Sequence, residues 1–397
     1  MKKPIIAGPV LLILLATALV ILLTSTQWLL PRKFKDRYDT SVLNRNEKNE
    51  YIEDTSEDEY SEPERSQTPL FKDNIDLSYM QVSEPASYKN LQVCLIYGRG
   101  DLDKKKYITL NHALKNKLAT VHETEEVNEL SMDNHSDEYI YINSGDIVKG
   151  GKQDRTIQYD VVIGPHEKGV DLASFCVESG RWSQRGNEES VGFRSSEKMI
   201  SSNDLKLAAK HDKNQSKVWA EVEEYQEQTT TNVNSSYAYV TPVVVKDSIS
   251  ESSLELTLEN KEITRIQAEY RNKLLLQMKN QPDAIGLAYF MNGKLYGIDI
   301  YNNHRLFTDL FNKLFDAAIA EAISLYDAKK PVANANTSAI TQLFAADAQV
   351  YTDEEVNKYT QFRSSEHNTV KNVMIFTCLD KQEKNWLHRN WLNNTGI

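Results

Sequence analysis

Eight of the fifteen glycines in this 397-residue chain fall between Gly145 and Gly192. Glycine is the residue of positive φ and of close backbone approach. Most of the chain's unusual backbone is therefore confined to one short stretch. Strand patterns surround it, at residues 91–97, 139–143, 156–163 and 170–178, separated by glycine turns. Thr109 can cap a short helix that puts Leu110, Ala113, Leu114 and Leu118 on one face. Beyond residue 201 helical spacing takes over. Ser216 is placed to cap a helix burying Val218, Trp219, Val222 and Tyr225, and Ile263, Ile266, Tyr270, Leu274 and Met278 share a face. Residues 284–290 and 295–301 flank Asn292-Gly293, a hairpin signal. Residues 306–326 form a strong helical stripe, and residues 371–380 and 386–391 close with a second hairpin. This order predicts an α+β fold with a strand-rich first half and a helix-rich second half, not a doubly wound sheet. The body is expected over residues 87–327, with a C-terminal helix and hairpin over 328–397 completing it.

Residues 5–23 carry no charge. At 1.5 Å per residue such a helix is about 28 Å long, one hydrocarbon thickness. Lys2 and Lys3 precede it, and Trp28, Arg32, Lys33, Lys35 and Arg37 follow, as an interfacial aromatic and basic flanks should. A cleaved signal peptide has a shorter apolar core ending at a small-x-small site. Here the only such pair, Ala16 and Ala18, lies inside the run. The expectation is an uncleaved single-pass anchor over residues 1–35, crossing the lipid bilayer at about 5–24, with the side of the body left open. Residues 36–86 read as a tether. From Glu47 to Arg65 nine acids face only Lys48 and Arg65, which accounts for −7 of the net charge of −11. Such a run cannot bury apolar surface and extends by self-repulsion. The remainder carries only −4, and the overall acidic balance of −11 argues against nucleic acid as the main partner, because phosphate binding needs clustered basic charge. Three cysteines, Cys94, Cys176 and Cys378, exclude a disulfide-stapled scaffold.

Inside the glycine-rich stretch, Ser144-Gly145-Asp146-Ile147-Val148-Lys149-Gly150-Gly151-Lys152-Gln153-Asp154-Arg155 is followed by Phe175-Cys176-Val177-Glu178-Ser179-Gly180-Arg181-Trp182. Together these segments resemble the signature of the ARG and rhodanese-phosphatase-superfamily-associated protein domain family. Asn90-Leu91, Ile108-Thr109-Leu110, the Val218-Trp219 helix and Gly297-Ile298-Asp299-Ile300 before Tyr301 fit the same family in order. The resemblance covers residues 87–327 closely and the last 70 residues loosely. It implies a fold and brings no reaction, cofactor or catalytic residue with it. If ARG denotes ADP-ribosylglycohydrolase, the family's name points, by association alone, to ADP-ribose or phosphoester chemistry. A separate echo, Phe193-Arg194-Ser195-Ser196-Glu197 repeated at Phe362-Arg363-Ser364-Ser365-Glu366, does not extend into its flanks as a duplication would.

The residue patterns exclude several chemistries. A phosphate-binding P-loop needs G-x-x-x-x-G-K-(S/T) between a strand and a helix. Gly145 and Gly150 have the spacing, but the lysine comes one place late, Gln153 replaces the hydroxyl, and a strand follows. A cysteine-phosphatase loop needs five residues between cysteine and arginine, and Cys176 and Arg181 enclose four. A rhodanese-like loop allows that spacing but should wrap a helix start, which the residues after Arg181 do not resemble. Cys176 is read first as a buried strand residue and second as a nucleophile, since a reactive thiol needs a positive setting that Arg181 supplies and Glu178 opposes. Among the eight histidines no H-E-x-x-H occurs, and no C-x-x-C is present, so neither a metal site nor a cofactor is expected.

An anion site remains. Gly150-Gly151 can present successive N–H groups as a nest, with Lys149, Lys152, Gln153, Arg155 and Arg181 around it. The reading preferred for the residues themselves is a tight hairpin in which Lys152 and Arg155 pair with Asp146, Asp154 or Glu178 and Gln153 hydrogen-bonds a neighbouring strand, since charge pairs and glycine turns are commoner than ligand sites. The leading expectation is a non-catalytic module for a small anionic, nucleotide-like ligand. A hydrolase using Cys176 or an unassigned carboxylate, and a structural or assembly protein without a ligand, stay open as alternatives.

Overall fold

The computed structural model describes residues 80–396, apart from 99–104, 125, 182–191, 238, 240, 279–282 and 346–349. The expected membrane anchor and most of the acidic tether lie outside the described residues. Among the described residues no helix is long and apolar enough to cross a membrane. What is described belongs to one compact unit, Ser66–Ile397.

The chain opens with β1 (Gln81–Val82), β2 (Ala86–Tyr88) and β3 (Leu91–Tyr97), so the sheet begins a few residues before position 87. Then come β4 (Tyr107–Thr109) and helix α1 (Leu110–Lys115), started by Thr109, whose Oγ1 accepts the His112 N–H at 3.3 Å. Strands β5 (Ala119–Glu123), β6 (Glu129–Asn134), β7 (Tyr139–Ile142), β8 (Asp146–Gly150), β9 (Arg155–Ile157), β10 (Val161–Ile163), β11 (Val170–Cys176) and β12 (Phe193–Met199) follow. Four helices come next: α2 (Asn203–Lys210), α3 (Gln215–Ser236), α4 (Leu254–Leu258) and α5 (Lys261–Leu275). Strands β13 (Ala284–Met291) and β14 (Lys294–Tyr301) form a hairpin, turned by Asn292 at φ +53° and Gly293 at φ +81°. Helix α6 (His304–Leu325), helix α7 (Ser338–Ala345) and strands β15 (Thr352–Glu355), β16 (Thr360–Glu366), β17 (Met374–Asp380) and β18 (Asn385–Leu392) complete the order.

The fold is α+β and strand-rich, with seven helices among the described residues. The strands are not confined to the first half, because β13–β18 lie beyond it. They join β3 in a nine-stranded sheet of order β1-β3-β13-β14-β18-β17-β16-β15, with β2 also on β3. One face of that sheet buries Leu91, Val93, Leu287 and Tyr289 against α5 and α6. The other buries Ile96, Phe290, Ile298 and Trp391 against α7. A six-stranded sheet, β12-β8-β9-β11-β6-β5, and a three-stranded one, β10-β7-β4, enclose a separate core that includes Val121, Ile142, Val148 and Ile163. The strand expected at 156–163 is two strands. The chain leaves the six-stranded sheet after Ile157 and enters the three-stranded sheet at Val161, turning at Gln158–Asp160.

Helix α3 starts two residues earlier than the Ser216 cap implied. Asn214 caps it, with Oδ1 accepting the Lys217 N–H at 3.0 Å. Val218, Val222 and Tyr225 are buried as expected, while Trp219 stays partly exposed. The two Phe-Arg-Ser-Ser-Glu segments lie in β12 and β16, strands of different sheets.

Candidate functional site

Gly150 and Gly151 turn the chain from β8 toward β9 at φ +126° and +53°. At Gly150 a Cβ would also lie 2.8 Å from the Gly192 carbonyl, so only glycine fits. Asp154 reaches back and accepts the Gly150 N–H at 2.9 Å, and Glu123 of β5 accepts the Lys152 N–H at 2.7 Å. Arg181 donates to the Gly151 and Gly150 carbonyls at 3.1 and 3.3 Å, and its Nη2 lies 2.7 Å from Glu178 Oε2. Arg155 is buried, donates to the Val127 carbonyl at 2.8 Å and to the Cys176 sulfur, and faces Glu123 at 3.5 Å. Lys149 pairs with Glu259 at 2.6 Å, and Lys152 is exposed. Gln153 is fully buried, and neither atom of its amide has a hydrogen-bond partner.

The expected anion-site residues are thus gathered in one place, with much of their hydrogen-bonding and charge spent within the chain. Burial works to raise the Glu178 carboxyl, but hydrogen bonds from Arg181 and Ser250 and the Arg181 charge hold it below the ordinary value. Glu178 and Asp154 are both fully buried. Arg181→Ala is therefore expected to destabilise the fold by about 2 kcal/mol, the scale for charged hydrogen bonds, as read by urea unfolding. A change below a few tenths would mean the ion pair is not structural. Cys176 is also fully buried, and burial pushes its thiol up to about 11, against the opposing charge of Arg155. That setting keeps the proton on sulfur, the reverse of what a nucleophilic cysteine needs.

A second constellation lies where the sheets meet α2. Two-residue periodicity puts Asp299 and Tyr301 on one face of β14, opposite Asn390 and His388 of β18. His388 Nδ1 lies 3.0 Å from Asp160 Oδ2, and Nε2 lies 3.1 Å from Asp299 Oδ1. A ring with a carboxylate at each nitrogen satisfies both only as an imidazolium. Burial works against its charge, yet Asp160 and then Asp299 carry its pKa above the ordinary value. Tyr301 stacks flat on the ring, with centroids 4.2 Å apart. Asp160 also accepts the Ser144 N–H at 2.8 Å and the Tyr141 hydroxyl at 3.1 Å.

Helix α2 presents Lys206 and Lys210, one turn apart, to the same region. Lys210 donates to Asn390 Oδ1 at 3.2 Å, and Lys206 to the Tyr289 hydroxyl at 3.2 Å. Both line a cavity with room for about 10 Å³, roughly one water molecule, together with Asn143, Ser144, Asp299 and Asn390. A larger cleft of about 420 Å³ lies elsewhere, between α3 and the arm that carries the signature. Trp219, Gln226 and Glu223 of α3 line one side, and Ser179, Lys246, Glu251 and Ser252 the other. The Leu254 N–H donates to the Val177 carbonyl at 3.1 Å and ties that second side to the signature arm. Among the described residues no cluster of histidine, cysteine or carboxylate could hold a metal ion.

The family model of the ARG and rhodanese-phosphatase-superfamily-associated protein domain, ARPP-1, matches residues 79–392. The chain belongs to this family. Comparison with curated proteins and with solved structures yields no match. In this ARPP-1 domain, sequence reasoning found the glycine turn and missed the buried ionic centre. The available signal was charge inside apolar patterns: Asp299 in an apolar strand, His388 between two tryptophans, and Lys206 and Lys210 beside Leu205, Ala208 and Ala209.

Proposed function

We propose that the body of this ARPP-1 protein binds a small nucleotide-like ligand in the cleft between α3 and the signature arm. The reading is carried by the lining of that 420 Å³ cleft, whose size falls in the ordinary range for small-molecule sites. Trp219 offers an aromatic surface for a planar base. Glu223 and Glu251 offer acceptors for ribose hydroxyls, and Lys246 offers a cation for a phosphate. The glycine turn then acts as the support of one cleft wall, and Arg181 braces it through Glu178. The uncharged run at residues 5–23 supports a single-pass tether that holds this body at a bilayer.

A thermal-shift panel on the full chain with AMP, ADP, ADP-ribose and inorganic phosphate tests the reading. A ligand at one hundred times its Kd is expected to add about 2.7 kcal/mol of stability. Phosphate alone should add nothing, and Trp219→Ala should abolish the nucleotide response. No response to any nucleotide, or one that survives Trp219→Ala, defeats the proposal. A stable protein partner recovered with no ligand response would favour an assembly role instead.

A further inference from the structure

Lys89 occupies the turn between β2 and β3 with φ +48°. Its ammonium lies 4.2 Å from the ring centroid of Tyr237, 5.2 Å from that of Tyr326, 5.3 Å from that of Tyr88 and 5.5 Å from that of Tyr270. All four distances are within reach of a cation–π attraction. The tyrosines come from four separate places: β2, the residue capping α3, helix α5 and the residue capping α6. Glu269, beside Tyr270 on α5, places a carboxylate 3.7 Å from the same nitrogen.

Two of the rings are anchored independently of Lys89. The Tyr270 hydroxyl donates to Asn90 Oδ1 at 2.8 Å, and the Tyr88 hydroxyl donates to Glu269. The Lys89 side chain keeps 19% of its surface exposed, so its path to solvent is open. A plain lysine ammonium is compact and strongly hydrated, and here it is held by the Tyr237 hydroxyl at 2.9 Å and by the Glu269 carboxylate at 3.7 Å, with aromatic rings on its other sides. Four ring faces with one carboxylate suit a larger ammonium that has no N–H to satisfy, and aromatic boxes of this kind serve that recognition in general.

We propose that the Tyr88, Tyr237, Tyr270 and Tyr326 box, with Glu269, is a binding site for a trimethylammonium group, plugged by the chain's own Lys89 until a ligand displaces it. The chemistry is shared by choline-type headgroups and by trimethylated lysine side chains. The site is separate from the α3 cleft, and either proposal can fail without the other.

The test titrates the full chain with tetramethylammonium, choline, a trimethyl-lysine amide and ammonium chloride, followed by NMR of the N-methyl protons and by melting temperature. Lys89→Gly removes the plug and accepts the positive φ. Lys89→Met keeps a plug without charge. The Lys89→Gly variant is expected to bind tetramethylammonium at least about tenfold more tightly than the unmodified protein, a 1.4 kcal/mol difference. Adding Tyr237→Ala should abolish that binding, and Lys89→Met should bind more weakly than Lys89→Gly. Choline binding without trimethyl-lysine binding would identify the headgroup as the source, and the reverse would identify the side chain.

Equal affinities in the unmodified and Lys89→Gly proteins overturn the proposal, as does no preference for tetramethylammonium over ammonium. Should Lys89→Gly not fold, the unmodified protein still decides. Its Lys89 ε-methylene protons should start upfield, inside the four rings, and move downfield as tetramethylammonium is added. No movement overturns the proposal.

Discussion

His388→Ala is expected to lower the free energy of unfolding by about 3–5 kcal/mol, the cost of breaking a buried ion pair by removing one partner. The imidazolium stands between Asp160 and Asp299, which are 2% and 7% exposed. Removing it leaves two buried carboxylates facing each other's charge with a cavity between them. Packing and charge can be separated with His388→Phe, which keeps a ring to stack on Tyr301 and supplies no proton to either acid. If the charge dominates, phenylalanine should be nearly as damaging as alanine. Urea unfolding of the three proteins at pH 6 decides the matter. A phenylalanine variant within about 1 kcal/mol of the unmodified protein would show that stacking, and not the double ion pair, holds this centre.

Raising the pH from 5 to 8 is expected to destabilise the fold, and Glu321→Gln is expected to remove much of that slope. Glu321 is buried on α6, accepts the Asn203 N–H at 2.8 Å, and has its second carboxyl oxygen unpartnered. Burial raises its pKa from 4.5 to about 7, against the opposing charge of Lys206. Between those values the folded state holds a proton that the unfolded chain has released, so stability falls as pH rises. A shift of that size corresponds to about 3 kcal/mol at pH 8.

Glu255 acts in the same direction. Burial pushes it up to about 7 as well, beside Glu259 and Asp154 and against a hydrogen bond from Ser196. His388 adds to the trend, because a histidine whose folded pKa is raised stabilises below its unfolded pKa and loses that contribution as pH passes the folded one. Asp160 opposes it at the acid end. Burial works to raise its carboxyl, but His388 holds it below the ordinary value, so its contribution is lost only as pH falls below about 4. The stability maximum should therefore sit on the acid side of neutrality. Glu321→Gln should gain about 2–3 kcal/mol at pH 8 and little at pH 5. A pH profile of unfolding that rises toward pH 8 would contradict this assignment.

Much of the local architecture was readable because its causes are local. The Asn292-Gly293 turn, the Thr109 cap and the stripe that became α6 each rest on a few neighbouring residues. The signature was equally visible as unusual backbone, and positive φ at Gly145, Gly150, Gly151, Gly169, Gly180 and Gly192 accords with it. Whether its amides and guanidinium groups would face a ligand was not readable. Some of the groups that engage them are local, Asp154 on the Gly150 N–H and Glu178 on Arg181, as the hairpin reading allowed, while Glu123 on the Lys152 N–H and Glu259 on the Lys149 ammonium arrive from β5 and the end of α4. The strand reading at 156–163 missed the break because a change of sheet leaves no mark in a short apolar pattern.

Sequence alone determined the α+β class, several of the strands and helices, the family, the acidic run after an uncharged stretch and the place where backbone freedom is concentrated. Those properties are written in periodicity, turn chemistry and composition, all of which act over a few residues. Tertiary structure decided which charges meet. His388, Asp160 and Asp299 are separated by 89 to 228 positions, and the tyrosines around Lys89 span from β2 to the end of α6. Coulombic and cation–π energies depend on distance in space and on exclusion of water, and only long-range strand pairing and helix packing set either one.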